Sequence, residues 1–206
     1  MNSAEKKIEL AKIAAEIAAC RACRLCEQRT KTVPGSGNPD AEILFVGEGP
    51  GKSEDEQGEP FVGAAGKFLN EMLASIGLAR EDVFIANVVK CRPPGNRDPE
   101  PEEIATCWPF LEKQIEIIAP KLIATLGRHS MNRFLPGLKI SAAHGMPKRR
   151  KDGRIFLPLY HPAAALYSPS SKTIHLADFA KIPKILEQIK STQTPPPPPP
   201  EQIKLI

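Results

Sequence analysis

Residues 43–51, Ile-Leu-Phe-Val-Gly-Glu-Gly-Pro-Gly, join a short apolar run to a glycine-rich turn. The four apolar residues, ended by Gly47, predict a buried strand. Six glycines and two prolines lie between Gly47 and Gly66, so an irregular segment is predicted to follow the strand. Long loops inside a domain are usually functional. This stretch therefore predicts both a strand of a sheet and a functional site at the carboxyl end of that strand.

Three further apolar runs predict strands at residues 83–89, 122–126 and 155–160. Helical spacing predicts helices at residues 3–19, 67–76, 101–118, 130–135 and 173–190. Pro109 predicts a kink or break in the third of these helices, and Pro183 predicts a kink in the last. Alternating strands and helices predict an α/β fold: a three-layer α/β/α sandwich around a four-stranded, mostly parallel sheet.

Distinctive residues follow three of the four predicted strands. They are the Gly47–Gly51 segment, Asn87, and His161 with Pro162. Ligands of such sheets bind beyond the carboxyl ends of the strands, so these residues are predicted to line one crevice. The glycine segment lacks the Gly-Lys-[Ser/Thr] ending of a phosphate-binding loop. Glu48 instead suits the positioning of a water or the stabilisation of a developing cation, whereas the other loop acids are compatible with a solvated surface.

The composition excludes several classes of protein. With 206 residues, 41% hydrophobic and 25% charged, the chain is neither collagen-like nor fully disordered. It has no apolar stretch of about 18 residues and no short basic segment followed by an apolar one, so we expect neither a membrane span nor a secretory signal. A small secreted disulfide scaffold would be shorter and richer in cysteine. We therefore expect a reduced compartment, the cytoplasm.

The five cysteines fall into two groups. Cys20, Cys23 and Cys26 form two overlapping Cys-x2-Cys pairs, and Cys91 and Cys107 lie far along the chain. A Cys-x2-Cys pair with a distant pair offers four soft ligands. Zinc and a cubane iron–sulfur cluster both accept such a set, and spacing alone does not choose between them. The alternative is that these cysteines are small buried hydrophobic residues.

The chain divides into a domain over residues 1–190 and a tail over residues 191–206. The tail contains six consecutive prolines, 195–200. Such a run cannot form a helix or a central strand, and it predicts a polyproline II spacer. A short apolar tip follows the spacer.

Taken in series, the motifs resemble the family 4 uracil-DNA glycosylases, the iron–sulfur branch of their superfamily. The similarity runs in order from about Cys20 to Lys190. Its segments are Cys20-Arg21-Ala22-Cys23-Arg24-Leu25, Gly37-Asn38-Pro39-Asp40-Ala41, Gly47-Glu48-Gly49-Pro50-Gly51, Glu54-Asp55, Gly58, Pro60-Phe61-Val62-Gly63, Asn87-Val88-Val89-Lys90-Cys91-Arg92-Pro93-Pro94, Cys107 and His161-Pro162-Ala163.

The resemblance implies a monofunctional enzyme that hydrolyses uracil from DNA in base-excision repair. It implies Glu48 and His161 as catalytic residues. Phe61 would stack on uracil, Asn87 would read its edge, and Glu54 would lie near the ring, where it could exclude the thymine methyl. The implied uracil site comprises Glu48, Gly49, Pro50, Glu54, Phe61, Asn87 and His161. The implied [4Fe-4S] ligands are Cys20, Cys23, Cys91 and Cys107, which leaves Cys26 as a spare thiol.

Two further segments are candidates for contact with uracil-containing DNA, whether single- or double-stranded. The resemblance suggests Leu166 as a wedge that fills the gap of the flipped base; the alternative is a core residue at a helix start. The basic residues Lys148, Arg149 and Arg150 suit phosphate contacts; the alternative is a solvated turn. The self-trapping branch of the superfamily carries a Lys-Arg-Arg-x-His insertion that this chain lacks, so turnover is expected. We expect a monomer.

The tip, Gln202-Ile203-Lys204-Leu205-Ile206, resembles the short peptides that bacterial sliding clamps bind. The alternative is a frayed tail. We expect a bacterial or archaeal, nucleoid-associated protein. Two other functions stay open: a non-catalytic, clamp-recruited DNA-binding protein with a structural metal site, and a glycosylase for another deaminated base.

Overall fold

The computed structural model describes residues 1–193, without the side chains of Tyr167, Pro169 and Gln193. The proline run and the clamp-like tip lie outside the described residues. One sheet contains six strands: β1 (Ser36–Gly37), β2 (Ile43–Gly47), β3 (Phe84–Asn87), β4 (Leu122–Leu126), β5 (Lys148–Arg149) and β6 (Ile155–Leu159). Their order is β1-β3-β2-β4-β6-β5.

The four central strands confirm the predicted parallel sheet, since β3, β2, β4 and β6 all run in one direction. The two outer strands, β1 and β5, pair antiparallel with their neighbours. Each outer strand is only two residues long. So short a segment carries no alternating pattern, which is why sequence reasoning missed both edge strands.

Eight α-helices of the described residues cover this sheet: α1 (Ser3–Ala19), α2 (Lys52–Gln57), α3 (Ala64–Ala74), α4 (Pro101–Ile118), α5 (Arg128–Phe134), α6 (Ile140–Ala143), α7 (Pro169–Phe179) and α8 (Ile182–Gln193). The predicted bounds of α1 and α4 are confirmed. Helix α4 continues through Pro109, so a break at that residue was wrong. The prediction of a single last helix over residues 173–190 was also wrong, because α7 and α8 occupy this part of the chain. Pro183 lies in the first turn of α8, where proline is tolerated.

Side chains of the central strands alternate between two apolar clusters, one on each face of the sheet. Leu44 and Val46 belong to the cluster that contains residues of α4 and α5. Phe45 belongs to the other cluster, with residues of α3, α7 and α8, and stacks on Phe179 at a ring distance of 5.7 Å. The three-layer α/β/α arrangement is therefore confirmed. Within residues 1–193, no helix has the length and apolarity needed to cross a membrane.

The parallel register brings the carboxyl ends of the central strands to one edge. Gly47 at the end of β2 pairs with Asn87 at the end of β3. Leu126 at the end of β4 pairs with Leu159 at the end of β6, two residues before His161. The glycine-rich segment, Asn87 and His161 thus meet at the edge where a ligand is expected.

Candidate active site

A pocket of about 380 Å³ opens at the carboxyl edge of the sheet. All seven residues suggested by the sequence for a uracil site line it. Its walls are Glu48, Gly49, Pro50, Gly51, Glu54, Phe61, Ala65, Asn87, Pro93, Asn96, Arg97, Pro99, His161 and Ala163. The predicted convergence of these segments is therefore present in the fold.

Asn87 presents an unsatisfied amide to this pocket. The residue is 2% exposed, and its buried Oδ1 has no hydrogen-bond partner among the described residues. Burying an amide oxygen without a partner is unfavourable, and a ligand in the pocket can supply the missing partner. A Cβ added to Gly47 would lie 2.3 Å from this oxygen and 2.8 Å from the Phe61 ring. Gly47 must therefore be glycine, a requirement that sequence reasoning did not identify.

Phe61 is held by a strained loop. Its backbone lies in the left-handed region with φ 53°, which is unfavourable for an aromatic residue. Oε1 of Glu54 accepts hydrogen bonds from the backbone N–H groups of Val62 and Gly63, each at 2.9 Å. Arg80 donates to the Phe61 carbonyl at 3.1 Å and also to that of Pro60. Glu54 and Arg80 thus fix the aromatic wall of the pocket.

His161 faces Phe61 across the pocket, with ring centroids 5.7 Å apart. Burial, reinforced by the charge of His175, lowers the pKa of His161 to about 4, so the ring is neutral near pH 7. Its Nδ1 accepts a hydrogen bond from the backbone N–H of Ala163 at 3.2 Å. The proton of the neutral ring is therefore on Nε2, a tautomer that the sequence did not reveal. His175 donates from Nε2 to the His161 carbonyl at 3.1 Å.

Glu48 is the acid of the pocket. Its Oε1 is buried and makes no hydrogen bond within residues 1–193. Burial raises the pKa of Glu48 to about 7, Asp98 adds to the rise, and Arg128 opposes it. The carboxyl group is thus poised between its charged and neutral forms near physiological pH.

A second histidine lies beside Glu48. Nδ1 of His129 is 3.6 Å from Oε1 of Glu48, and its Nε2 is 3.2 Å from Oδ2 of Asp98. Sequence reasoning missed His129 because it examined the ends of only three strands. The fourth strand, β4, is followed by Gly127, Arg128 and His129, and the same topological rule would have placed this histidine at the site.

The cysteines gather at a separate, small apolar cavity on one flank of the fold. All five line it, together with Arg29, Lys90 and apolar side chains. Arg29 donates to Sγ of Cys91 at 3.0 Å, and the backbone N–H of Lys90 donates to Sγ of Cys107 at 3.3 Å. Burial raises the pKa of the Cys107 thiol to about 11 and raises that of Cys91 as well. Burial thus disfavours the thiolate form that a metal ligand must adopt, and metal binding would have to offset this unfavourable free energy.

Lys90 links this cavity to the pocket. Its side chain is buried, with the residue 1% exposed, and Nζ donates to the Asn87 carbonyl at 2.9 Å and to Oε1 of Gln114 at 2.7 Å. Burial lowers the pKa of Lys90 to about 8. The same residue therefore contacts the strand end that carries Asn87 and the sulfur of Cys107.

The two predicted DNA-contact segments differ in position. Leu166 is 46% exposed on the short 3-10 helix Pro162–Tyr167 that follows His161, so it is not a core residue. The basic segment lies elsewhere. Arg149 pairs with Ile155, the first residue of β6, whereas the pocket lies at the other end of that strand. The structure does not bring Lys148, Arg149 and Arg150 to the pocket.

The fold and the site define an α/β protein with a ligand pocket walled by an aromatic ring, an amide, a neutral histidine and a partly buried acid. The sequence model of the uracil DNA glycosylase superfamily matches residues 34–189. The chain belongs to this superfamily.

Three relatives show how close the relationship is. The Type-4 uracil-DNA glycosylase of Sulfurisphaera tokodaii is 50% identical over 185 residues, 85% of this chain and 84% of that protein. That of Archaeoglobus fulgidus is 50% identical over 182 residues, 84% of this chain and 91% of that protein. That of Thermotoga maritima is 45% identical over 185 residues, 87% of this chain and 96% of that protein.

Proposed function

We propose that this protein is a uracil-DNA glycosylase that hydrolyses the N-glycosidic bond of uracil in DNA and leaves an abasic site for base-excision repair. The observation that carries the proposal is the pocket in which Asn87, Phe61, His161 and Glu48 meet. The names of the relatives agree with it. The enzyme must first take uracil out of the base stack, and Phe61 offers a stacking surface that offsets part of that cost.

Asn87 supplies selectivity for uracil. Its unpartnered Oδ1 can accept from N3–H of the base, and its Nδ2 can donate to O4. Cytosine presents the reverse pattern at these positions. A mismatched pairing in a buried site leaves polar groups unsatisfied, at about 1–3 kcal/mol each.

His161 stabilises the leaving base. As the bond breaks, negative charge builds on uracil, and a donor aimed at O2 acts as an oxyanion hole does. The neutral tautomer is suited to this role because the Ala163 N–H occupies Nδ1 and leaves the proton on Nε2. The low pKa of His161 keeps the ring in this form throughout the neutral range.

Glu48 acts at the sugar in its ionised form. It orients a water toward C1′ and favours the oxocarbenium-like centre, as carboxylates do in glycoside hydrolysis. The bond from C1′ to N1 breaks, and its electron pair goes to the uracil ring. The bond from the water oxygen to C1′ forms, and the water proton passes to Glu48. Glu54 contributes by fixing the loop that carries Phe61.

The cysteine cavity suits a [4Fe-4S] cluster held by Cys20, Cys23, Cys91 and Cys107. All four sulfurs line one small, mainly apolar cavity, and four soft sulfur ligands in one place suit such a cluster. When bound, the cluster would tie the N-terminal segment to β3 and α4. Broad visible absorbance with iron and sulfide supports it, and a colourless protein with stoichiometric zinc refutes it.

DNA contacts extend beyond the flipped base. We propose Leu166 as the wedge, since it is exposed beside His161. Arg97 lines the pocket, and the charge of Arg128 acts on its acid, so both cations are proposed to contact the DNA near the flipped base. The basic segment at Lys148, Arg149 and Arg150 is proposed only as an outer phosphate contact because of its distance along β6.

We further propose a monomer that acts on chromosomal DNA in the cytoplasm of a bacterial or archaeal cell, since the relatives come from both groups. The tip at residues 202–206 is proposed to bind a sliding clamp. Deleting residues 201–206 would then abolish clamp pull-down without changing excision from an oligonucleotide. Unchanged pull-down would reject the tether.

The activity is tested with oligonucleotides that carry uracil, hypoxanthine, xanthine or thymine at one position. Abasic products are revealed by alkaline cleavage, in single- and double-stranded form. We expect excision of uracil and not of thymine. Preferential excision of hypoxanthine or xanthine would favour another deaminated-base glycosylase. Binding without excision of any base would favour the non-catalytic DNA-binding protein.

A further inference from the structure

His129 is a titratable side chain beside the proposed catalytic acid, Glu48, and it has no role in the proposed mechanism of excision. It is the second residue of α5, at the carboxyl end of β4. Its ring faces two carboxyl groups, with Nδ1 3.6 Å from Oε1 of Glu48 and Nε2 3.2 Å from Oδ2 of Asp98. The Glu48 oxygen that it faces is buried and makes no hydrogen bond among residues 1–193.

The surroundings fix which ring nitrogen carries a proton. Nε of Arg128 donates to Nε2 of His129 at 2.8 Å, so the neutral ring holds its proton on Nδ1. In a doubly protonated ring, Nε2 also carries a hydrogen and would donate it to Oδ2 of Asp98 instead. Nδ1 therefore carries a hydrogen in both forms, and in the structure it faces Oε1 of Glu48.

We infer that His129 is a positioning residue that donates from Nδ1 to Oε1 of Glu48 once DNA is bound. The inference rests on the proposed function, since it concerns the acid of that same site. The present distance exceeds a hydrogen bond by about 0.5 Å. Contacts of this kind are often long in a free enzyme and shorten in the substrate complex. The bond would hold the carboxylate in its ionised form and in one orientation.

Other charged groups around Glu48 do not supply this donor. Asp98 is an acceptor, and Arg128 is committed to the His129 ring and to Asp98 at 3.9 Å. Across the pocket, Glu54 is bonded to Val62 and Gly63, and Arg97 is paired with Glu103. His161, which also lines the pocket, is assigned to the base.

The test compares two pH profiles of uracil excision for the wild type, His129→Leu and His129→Asn. The dependence of kcat/KM reports the free enzyme, and single-turnover rates at saturating DNA report the complex. In the wild type, we expect the acidic midpoint of the complex to lie about one pH unit below that of the free enzyme. Leu removes the donor, so the two midpoints should coincide. Asn places an amide N–H near the former Nδ1 and should retain part of the separation.

Three results would overturn the inference. One is a difference between the acidic midpoints of the free enzyme and the complex that is present in the wild type and persists in His129→Leu. Another is a uniform loss at every pH in His129→Leu, which a purely structural role would produce; thermal unfolding of both variants identifies that case. The third is a wild type whose two midpoints coincide. If the wild type excises no uracil at all, the proposed function fails, and the inference falls with it.

Discussion

The pocket and the cysteine cavity differ in how their polar atoms are satisfied. In the pocket, Oδ1 of Asn87 and Oε1 of Glu48 are buried without hydrogen-bond partners in the described chain. In the cavity, the sulfurs of Cys91 and Cys107 accept hydrogen bonds from Arg29 and the Lys90 backbone. Unpaired buried groups are unfavourable unless a ligand completes them, so the pocket is organised for a transient partner. The cavity is instead proposed to hold a permanent partner, the [4Fe-4S] cluster.

The two regions are nevertheless connected. Lys90 donates from Nζ to the Asn87 carbonyl and from its backbone to Cys107. A disturbance of the cavity should therefore reach the pocket through β3. Four sets of substitutions test this difference, and the largest effect is expected from the first.

The largest effect is expected from Cys107→Ser. Loss of a ligand should remove the cluster and lower the free energy of unfolding by about 4 kcal/mol or more, because metal binding and folding are coupled. The rate of uracil excision should fall as well, because Lys90 contacts both Cys107 and the carbonyl of Asn87. Iron content and thermal unfolding measure the first effect, and an oligonucleotide assay the second. The matched control is Cys26→Ser, which should keep iron and stability. Loss of iron in both variants would contradict the assigned ligand set.

Gly47→Ala is expected to affect the pocket alone. The added Cβ would lie 2.3 Å from Oδ1 of Asn87 and 2.8 Å from the Phe61 ring, so both must shift. Displacement of this kind costs about 100-fold in rate. The measurement is kcat for uracil excision, with iron content as a check that the cavity is intact. Gly153→Asn is the control, since nothing lies within 4 Å of a Cβ there. A variant with wild-type kcat would contradict the pocket geometry.

Glu48→Gln should stabilise the protein while inactivating it. Because the folded pKa of Glu48 is about 7, above its ordinary value of 4.5, ionisation opposes folding as pH rises between these values. The variant lacks this penalty, so its free energy of unfolding should exceed that of the wild type by about 1–3 kcal/mol at pH 8 and not at pH 4. Urea unfolding at both values measures the difference. Equal stabilities at pH 8 would mean that Glu48 is well solvated.

The smallest effect is expected at the basic segment. Replacing Arg149 and Arg150 with Gln should weaken binding to a short uracil oligonucleotide by less than about threefold, because these residues lie at the far end of β6. Arg128→Gln, beside the pocket, should weaken it more. Fluorescence anisotropy over a series of salt concentrations compares them. The reverse order would show that DNA crosses the sheet edge at β5.

Motifs and topology made much of this site predictable. The central strands and the residues that follow β2, β3 and β6 could be read from apolar runs and their ends. The features of the site that could not be predicted from the sequence depend on contacts between residues that are distant along the chain. The need for glycine at residue 47 arises from Asn87 and Phe61, and the role of Arg80 arises from the backbone of a loop. Helix α2, six residues long, lies in a glycine-rich segment whose composition predicted no helix.

The most direct test of uracil excision by this pocket uses one oligonucleotide with a single uracil and two proteins, the wild type and Asn87→Ala. We predict that the wild type releases uracil and leaves an alkali-labile site. We predict that Asn87→Ala, with normal iron content and stability, releases it at least about 100-fold more slowly, because a buried hydrogen-bonding partner of the base is lost. Equal rates would show that Asn87 does not read the base, and no release by the wild type would contradict the proposed activity.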